Sequence, residues 1–168
     1  MAQSIVVVTF YSRSGTTERL ATVAAVGAVQ MRAAIRMRRV PDPDPAAALA
    51  RFPEQREELR RMHKEYIAPR EVDVLAADVL IVASSSDVAP TSREWQAFFD
   101  LLARLRSEGK LHGKVAAVVD NGPSARAFST AFEDLGLSPV LAPAQDDDVA
   151  RAMALGRAAV STAQALKT

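Results

Sequence analysis

The sequence predicts an α/β fold in which a doubly wound, five-stranded parallel sheet lies between two layers of helices. Three observations predict it. Short apolar runs alternate with segments of helical periodicity, the first run leads through a polar turn directly into a helix, and 168 residues suffice for one domain. For this arrangement we expect the strand order 2-1-3-4-5, with a ligand at the carboxyl ends of the strands. We therefore interpret residues 1–168 as one domain.

Five apolar runs have the length and composition of strands. They are residues 4–11, 33–40, 79–84, 115–120 and 138–142. Apolar residues at helical spacing predict helices over 16–30, 54–66, 94–106 and 146–166. Thr91 and Glu94 match a capping box at the start of the third helix, and we expect Trp95 in the core rather than against a ligand.

Three adjacent aspartates, Asp146, Asp147 and Asp148, precede the last predicted helix. A helix N-terminus favours negative charge, and three neighbouring carboxylates do not converge on one ion, so the pattern favours capping over metal binding. We predict no metal site.

The segment 41–70 interrupts the alternation of strands and helices. It begins with three prolines at alternate positions and contains a charged helix whose apolar positions, Leu59, Met62 and Tyr66, form only a narrow stripe. Such a helix packs on a partner or lies lightly on its own domain. We interpret the segment as a charged helical insertion that is compatible with a homo-oligomer.

The turn after the first strand has the composition of a phosphate-binding loop. It contains Ser12, Arg13, Ser14, Gly15, Thr16 and Thr17. Four hydroxyl groups can donate to a phosphate at the N-terminus of the following helix, and Gly15 lets the backbone approach the ligand closely. Because the loop lacks lysine and the glycine spacing of dinucleotide folds, it favours a single phosphate monoester. The alternative is an ordinary connection in which Ser14 or Thr16 is only a helix cap.

The composition excludes several classes of chemistry. The chain has no cysteine, which excludes disulfides, thiolate catalysis and thiolate metal sites. With 21 basic and 20 acidic residues, it has no long-range field that would gather nucleic acid, and we expect the arginines of 36–39 to be solvated at a strand edge. The N-terminal apolar run is too short for a signal peptide or a membrane span, so we expect a cytoplasmic protein. We expect His63 and His112 at the surface.

Several segments together resemble a known family. They are residues 11–17, 39–42, 77–82, 98–100, 113–116 and 150–157. On these segments the chain resembles the flavodoxin-like FMN proteins of the WrbA type, which are NAD(P)H:quinone oxidoreductases. The resemblance covers nearly the whole chain, and the first loop is its most specific motif.

The resemblance implies FMN as the cofactor, with its phosphate on the loop 12–17. It implies that the flavin ring lies along the loop after the third strand. That loop contains Ser84, Ser85, Ser86, Asp87 and Val88. The family has an arginine and an aromatic residue where this chain has Asp87 and Val88. In the loop after the fourth strand, Asn121 and Gly122 are implied contacts of the pyrimidine edge.

The resemblance also implies an activity. FMN would accept a hydride from NAD(P)H and pass two electrons to a quinone, so no side chain is predicted as a nucleophile or base. A dimer or tetramer is implied as well. The residues at the ring leave an alternative open, a flavodoxin-like binding or interaction protein that keeps the phosphate loop but has weak or no flavin catalysis. A phosphatase is disfavoured, because neither Ser12 nor Ser14 lies in a G-x-S-x-G elbow.

Overall fold

A computed structural model describes residues 2–119 and 122–168. Within these residues, five parallel strands form one sheet in the order β2-β1-β3-β4-β5, which confirms the predicted topology. The strands are β1 (Ile5–Tyr11), β2 (Ala34–Arg39), β3 (Val79–Ser84), β4 (Val115–Val118) and β5 (Pro139–Val140). The order reverses between β1 and β3, and their carboxyl ends are the expected place for a ligand.

Helices cover both faces of the sheet. They are α1 (Thr16–Gln30), α2 (Pro45–Arg51), α3 (Arg56–Glu65), α4 (Glu71–Ala76), α5 (Arg93–Ser107), α6 (Ser124–Asp134) and α7 (Asp148–Leu166). Helices α1 and α7 pack on one face, and α5 and α6 pack on the other. None of the helices in the described residues is both long enough and apolar enough to cross a membrane.

The central strands are buried on both faces. Side chains along β1 alternate between the two cores, with Val6 and Val8 facing α1 and α7 and Val7 facing α5 and α6. All six residues of β3 are buried, as expected for a central strand with helices on both sides. Trp95 is fully buried in the core between the sheet and helices α5 and α6, where its Nε1 donates to Ser84 Oγ at 3.0 Å. This confirms its predicted place in the core.

Helices α1 and α7 touch at their backbones. A Cβ atom on Gly27 would lie 2.1 Å from the carbonyl oxygen of Met153, and one on Gly156 would lie 2.0 Å from the carbonyl oxygen of Ala24. Both distances are far below van der Waals contact. The two glycines therefore permit the close approach of these helices.

The segment 41–70 packs on its own chain. Leu59 and Met62 of α3 are fully buried, and the ring of Tyr66 meets Phe10 edge-to-face at 4.9 Å. The N–H of Arg39 also donates to the carbonyl oxygen of Ile67, so the segment covers part of the edge strand β2. The narrow apolar stripe of α3 is thus buried without a partner chain.

Some predicted elements were wrong. Strand β5 has two residues instead of five, because Pro139 has no N–H for the ladder and Pro143 follows closely. Helices α2, α4 and α6 were not predicted; in α6 the apolar stripe is reduced to Phe128 and Phe132. The capping box does not form, since Ser92 is the N-cap residue and makes no side-chain cap bond. The predicted end of the fourth strand at Asp120 lies outside the described residues.

The predicted cap of the last helix is confirmed. Asp147 is the N-cap residue of α7, and its carboxylate accepts from the N–H of Ala150 at 2.7 Å. Asp148 pairs with Arg151 one turn further on, at 2.7 Å. These aspartates therefore act at the helix N-terminus, as the dipole argument predicts.

The arginines of β2 are not simply solvated, which corrects the prediction. Arg36 and Arg38 both bind the carboxylate of Asp73, at 3.2 and 2.9 Å, and Asp73 is fully buried. Arg39 is only 3% exposed. The reason is tertiary, because the insertion brings α4 and its carboxylate over this edge of the sheet.

Candidate functional site

The first loop lies between the end of β1 and the start of α1, and its inner side is held by the protein. Ser12 is fully buried, and its Oγ accepts from the N–H of Gly15 at 3.1 Å. Its carbonyl oxygen accepts from Arg39 at 2.8 Å. Gly15 has a φ of +91°, which side chains rarely adopt, and is itself the N-cap residue. The alternative in which Ser14 or Thr16 is the N-cap is therefore wrong.

The outer side of the loop presents hydroxyl groups. Ser14 and Thr16 are exposed, and Ser14 Oγ lies 3.1 Å from Thr16 Oγ1. Thr17 is buried but also faces the cavity beside the loop. The four predicted hydroxyl groups thus differ in their roles, because one of them, on Ser12, is used to shape the loop.

The second loop, after β3, is tied to the end of β1. The N–H and Oγ of Ser85 both donate to the carbonyl oxygen of Tyr11, at 3.1 and 3.3 Å. Ser84 is buried, and its Oγ donates to the carbonyl oxygen of Val88 at 2.9 Å. Val88 is 4% exposed and packs in the core that contains Trp95. Its side chain therefore points away from the cavity.

The two loops enclose a cavity of about 220 Å³ at the carboxyl ends of β1 and β3. Its lining residues are Arg13, Ser14, Thr16, Thr17, Gln55, Ser85, Ser86 and Asp87. The third loop abuts the second, since a Cβ on Gly122 would lie 3.0 Å from Ser86 Cβ. Asn121, the other predicted contact in this loop, lies outside the described residues. The structure thus brings together predicted residues from all three loops.

Gln55 is a cavity residue that the sequence did not predict. It lies in a short 3-10 turn, Pro53–Gln55, that leads into α3. Its Oε1 atom is buried, and within the described residues it has no hydrogen-bond partner. A buried amide oxygen without a partner is uncommon, and Gln55 lines the same cavity as Ser14, Thr16 and Thr17. No local signal marks this residue, because only the folded insertion brings it to the cavity.

Arg13 bridges the two loops. Its guanidinium forms an ion pair with Asp87 and lies 4.4 Å from the centre of the Phe52 ring. Burial lowers the pKa of Arg13, but the hydrogen bond and the charge of Asp87 outweigh burial and raise it. Arg13 is therefore a fixed positive charge at the cavity wall.

A carboxylate behind the first loop is paired with an arginine. Glu18, in the first turn of α1, accepts from Arg61 at 2.5 Å and from the hydroxyl of Tyr66 at 2.6 Å. The hydrogen bond from Arg61 lowers the pKa of Glu18 more than burial raises it, so Glu18 stays ionised. Arg61 also pairs with Glu58 and Glu65, each at 2.7 Å, so one guanidinium is shared among three carboxylates and offsets only part of their negative charge.

A buried polar cluster connects the first loop to the insertion. Asp42 is 5% exposed and accepts from the Tyr11 hydroxyl at 2.6 Å and from Arg39 at 3.1 Å. Its other neighbour is His63, whose Nε2 lies 2.7 Å from the carboxylate. The same Arg39 holds the carbonyl oxygen of Ser12, so the cluster supports the loop from behind.

Two pKa values in this cluster are displaced. Burial raises the pKa of Asp42. The hydrogen bonds from Tyr11 and His63 and the charge of Arg39 outweigh burial, so the pKa of Asp42 lies below its usual value. Burial and Asp42 raise the pKa of Tyr11.

The expectation that His63 is a surface residue was wrong, because folding of the insertion carries its side chain to Asp42 and leaves it 23% exposed.

The residues that line the cavity fit a phosphate monoester such as the one on FMN. The cavity offers hydroxyl groups and an arginine beside the N-terminus of a 15-residue helix. Within the described part of the chain, no group of three or more histidine or carboxylate side chains is placed to hold a metal ion.

No model of a known protein family matches the chain. A protein from Archaeoglobus fulgidus named NAD(P)H dehydrogenase (quinone) is 34% identical over 116 residues, which are 67% of this chain and 59% of that protein. The chain thus spans about three fifths of the length of this relative.

Solved structures show the same fold. A flavodoxin from Streptococcus pneumoniae superimposes with a TM-score of 0.63 at 18% identity, covering 95% of this chain and 99% of that chain. A flavodoxin described as a WrbA-like protein, from Agrobacterium tumefaciens, has a TM-score of 0.64 at 15% identity, covering 97% and 99%. The expected resemblance is confirmed: the chain has a flavodoxin-like fold and is similar in sequence to a protein named NAD(P)H dehydrogenase (quinone).

Proposed function

We propose that this protein binds FMN and acts as an NAD(P)H:quinone oxidoreductase. The observation that carries the proposal is the cavity in which the loop 12–17 meets Ser85, Ser86 and Asp87 at the carboxyl ends of β1 and β3. The sequence similarity to a NAD(P)H dehydrogenase (quinone) supports the choice of reaction.

The residues of the first loop would hold the phosphate. Ser14, Thr16 and Thr17 would donate hydroxyl hydrogen bonds, and the first N–H groups of α1 point in the favourable direction for an anion. Arg13 would contribute a positive charge. Ser12 would act indirectly, because its hydroxyl is bonded to the N–H of Gly15 and fixes the turn.

The second and third loops would position the ring. Ser85 and Ser86 line the cavity, and Gly122 lies against Ser86. When bound, FMN supplies the redox chemistry by accepting a hydride from NAD(P)H and passing two electrons to a quinone. The side chains named here bind and orient, and none of them is proposed as a nucleophile or base.

The remaining parts of the proposal rest on the sequence analysis and on the resemblance. We infer one domain with a helical insertion, NAD(P)H and a quinone as partners, a cytoplasmic location and a dimer or tetramer. Exposed apolar side chains near α4 support an assembly, since Ile67, Val72 and Leu75 are 53, 56 and 41% exposed. Such residues are typical of surfaces that become covered on association.

One observation favours the alternative, a flavodoxin-like binding protein with weak or no flavin catalysis. The side chains of the second loop at the cavity are two serines and Asp87, while Val88 is turned into the core. A carboxylate near the ring opposes the negative charge of a reduced flavin. The phosphate-binding loop would then remain, while the surroundings that favour reduction of the flavin would be lost.

The test is to purify the chain, record its absorption spectrum for bound flavin, and titrate the flavin-free protein with FMN while following flavin fluorescence. NAD(P)H oxidation is then measured with several quinones, with free FMN at the same concentration as the control. We expect stoichiometric binding and turnover well above the control. FMN binding without turnover would support the alternative, and absence of FMN binding would contradict the flavoprotein proposal.

A further inference from the structure

The Arg13 side chain is held in place on several sides. Its guanidinium pairs with Asp87 and lies 4.4 Å from the centre of the Phe52 ring and 5.8 Å from that of Tyr11. The side chain is 15% exposed. Stacking on aromatic rings lowers the number of conformations open to a long side chain, so Arg13 is ordered before any ligand arrives.

The two partners of the ion pair differ in exposure. Asp87 is 65% exposed against 15% for Arg13, although both line the same cavity. An exposed carboxylate regains its hydration easily when it leaves, whereas the shielded arginine needs an anion to replace it. The pair is therefore asymmetric, with one partner fixed and the other replaceable.

The remaining lining groups suit a phosphate better than a carboxylate. Ser14, Thr16 and Thr17, which carry hydroxyl groups, line the same cavity at the N-terminus of α1. A phosphate monoester carries more charge and more acceptor oxygens than a carboxylate, and it can accept from a guanidinium and from hydroxyl groups at the same time.

We propose that Asp87 occupies the place of the ligand's phosphate on Arg13, and that a phosphate monoester displaces it on binding. Arg13 is then a specificity-determining residue that distinguishes FMN from the same flavin without phosphate. This inference rests on the proposed function, because it concerns the same cavity. Asp87 acts as a tethered competitor that weakens binding of every phosphate ligand.

The test compares Asp87→Asn, Arg13→Ala and the double variant with the unaltered chain, using FMN, riboflavin and inorganic phosphate as probes. Calorimetry or flavin fluorescence gives each dissociation constant. For Asp87→Asn we expect tighter FMN and phosphate binding, up to about fivefold, the equivalent of about 1 kcal/mol for an exposed pair. Riboflavin affinity should not change. In Arg13→Ala, FMN should bind more weakly, and the effect of Asp87→Asn should vanish in the double variant.

Glu133→Gln is the matched control, since it removes one exposed carboxylate at the far end of α6. Circular dichroism and thermal unfolding verify that each variant is folded. Unchanged or weaker FMN binding in Asp87→Asn would overturn the inference, and so would an equal gain for riboflavin, which would mean that Asp87 repels the ring. If the unaltered chain binds neither FMN nor phosphate, it is the proposed function that fails.

Discussion

Ser14 and Thr16 differ from Ser12 in what they do for the fold. The Ser12 hydroxyl is buried and bonded to the N–H of Gly15, so its removal would disturb the turn. Ser14 and Thr16 are exposed, and their hydroxyl groups are bonded mainly to each other. Substitution of the exposed pair therefore tests ligand binding without a large effect on folding.

For Ser14→Ala combined with Thr16→Ala, we expect FMN affinity to fall by about a hundredfold or more, because hydrogen bonds to a charged group contribute about 1.5–3 kcal/mol each and two are lost. Isothermal titration calorimetry measures the change. Thr22→Ala is the control, since Thr22 is exposed on the same helix and its hydroxyl donates to the Glu18 carbonyl oxygen, away from the cavity. Equal affinity in the double variant and the control would contradict the phosphate assignment of the loop.

At the scale of elements, the contact between α1 and α7 leaves no room for a side chain at two positions. The backbones meet at Gly27 and Gly156, where a methyl group would lie about 2 Å from a carbonyl oxygen of the other helix. Backbone atoms cannot move aside as the end of a side chain can. Since α1 also carries the first loop, displacement of this helix would disturb the site.

For Gly27→Ala we expect the free energy of unfolding to fall by about 1–3 kcal/mol, the usual cost of overpacking a close contact. Urea unfolding followed by circular dichroism measures it. Thr22→Ala, on the exposed face of the same helix, should stay within about 0.5 kcal/mol of the unaltered chain. A gain in stability from Gly27→Ala, as expected for an alanine in an unobstructed helix, would show that the helices are further apart than described.

The insertion is the element whose role changed most between sequence and structure. Its helix α3 buries Leu59 and Met62 on its own chain, and the preceding turn carries Gln55 to the cavity. Phe52 packs on Arg13. The segment therefore forms a wall of the site within one chain, where the sequence left open whether it packs on a partner or lies lightly on its own domain.

At the scale of the whole molecule, carboxylates paired with arginines connect distant segments of the chain. Asp73 on α4 binds Arg36 and Arg38 of β2, and Glu18 of α1 binds Arg61 of α3. Burial raises the pKa of Asp73, but hydrogen bonds from Arg38 and the Arg70 N–H outweigh burial and lower it to about 2. Asp42, Glu18 and Asp78 also have lowered pKa values.

A lowered pKa in the folded state means that the ionised carboxylate stabilises the fold above its unfolded pKa, and that this contribution is lost as the pH falls through the folded pKa. For Asp73 we expect a loss of about 2 kcal/mol between about pH 4 and pH 2. Asp73→Asn should be less stable than the unaltered chain at neutral pH, and the difference should narrow over this range. Urea unfolding at several pH values measures it, with Glu133→Gln as the control; a constant difference would contradict the assignment.

The sequence by itself determined the sheet, its strand order and the first loop. Apolar runs such as Ile5–Tyr11 and Val79–Ser84 predict buried parallel strands, because strands of a sheet with helices on both faces need nearly continuous apolar residues. The first loop could be predicted because its hydroxyl-bearing residues and Gly15 lie next to one another in the sequence. The topology then placed the loops after β1 and β3 side by side.

Only the tertiary structure decided which other residues join the site. Gln55, Asp42 and His63 come from the insertion, whose packing depends on contacts with distant segments, and no local spacing encodes such contacts. The same is true of the Arg13–Asp87 pair, which joins residues 74 positions apart. The sequence also did not show where the side chain of Val88 points, because a residue in a short turn after a strand can face either the ligand or the core. In the structure Val88 packs in the core that contains Trp95.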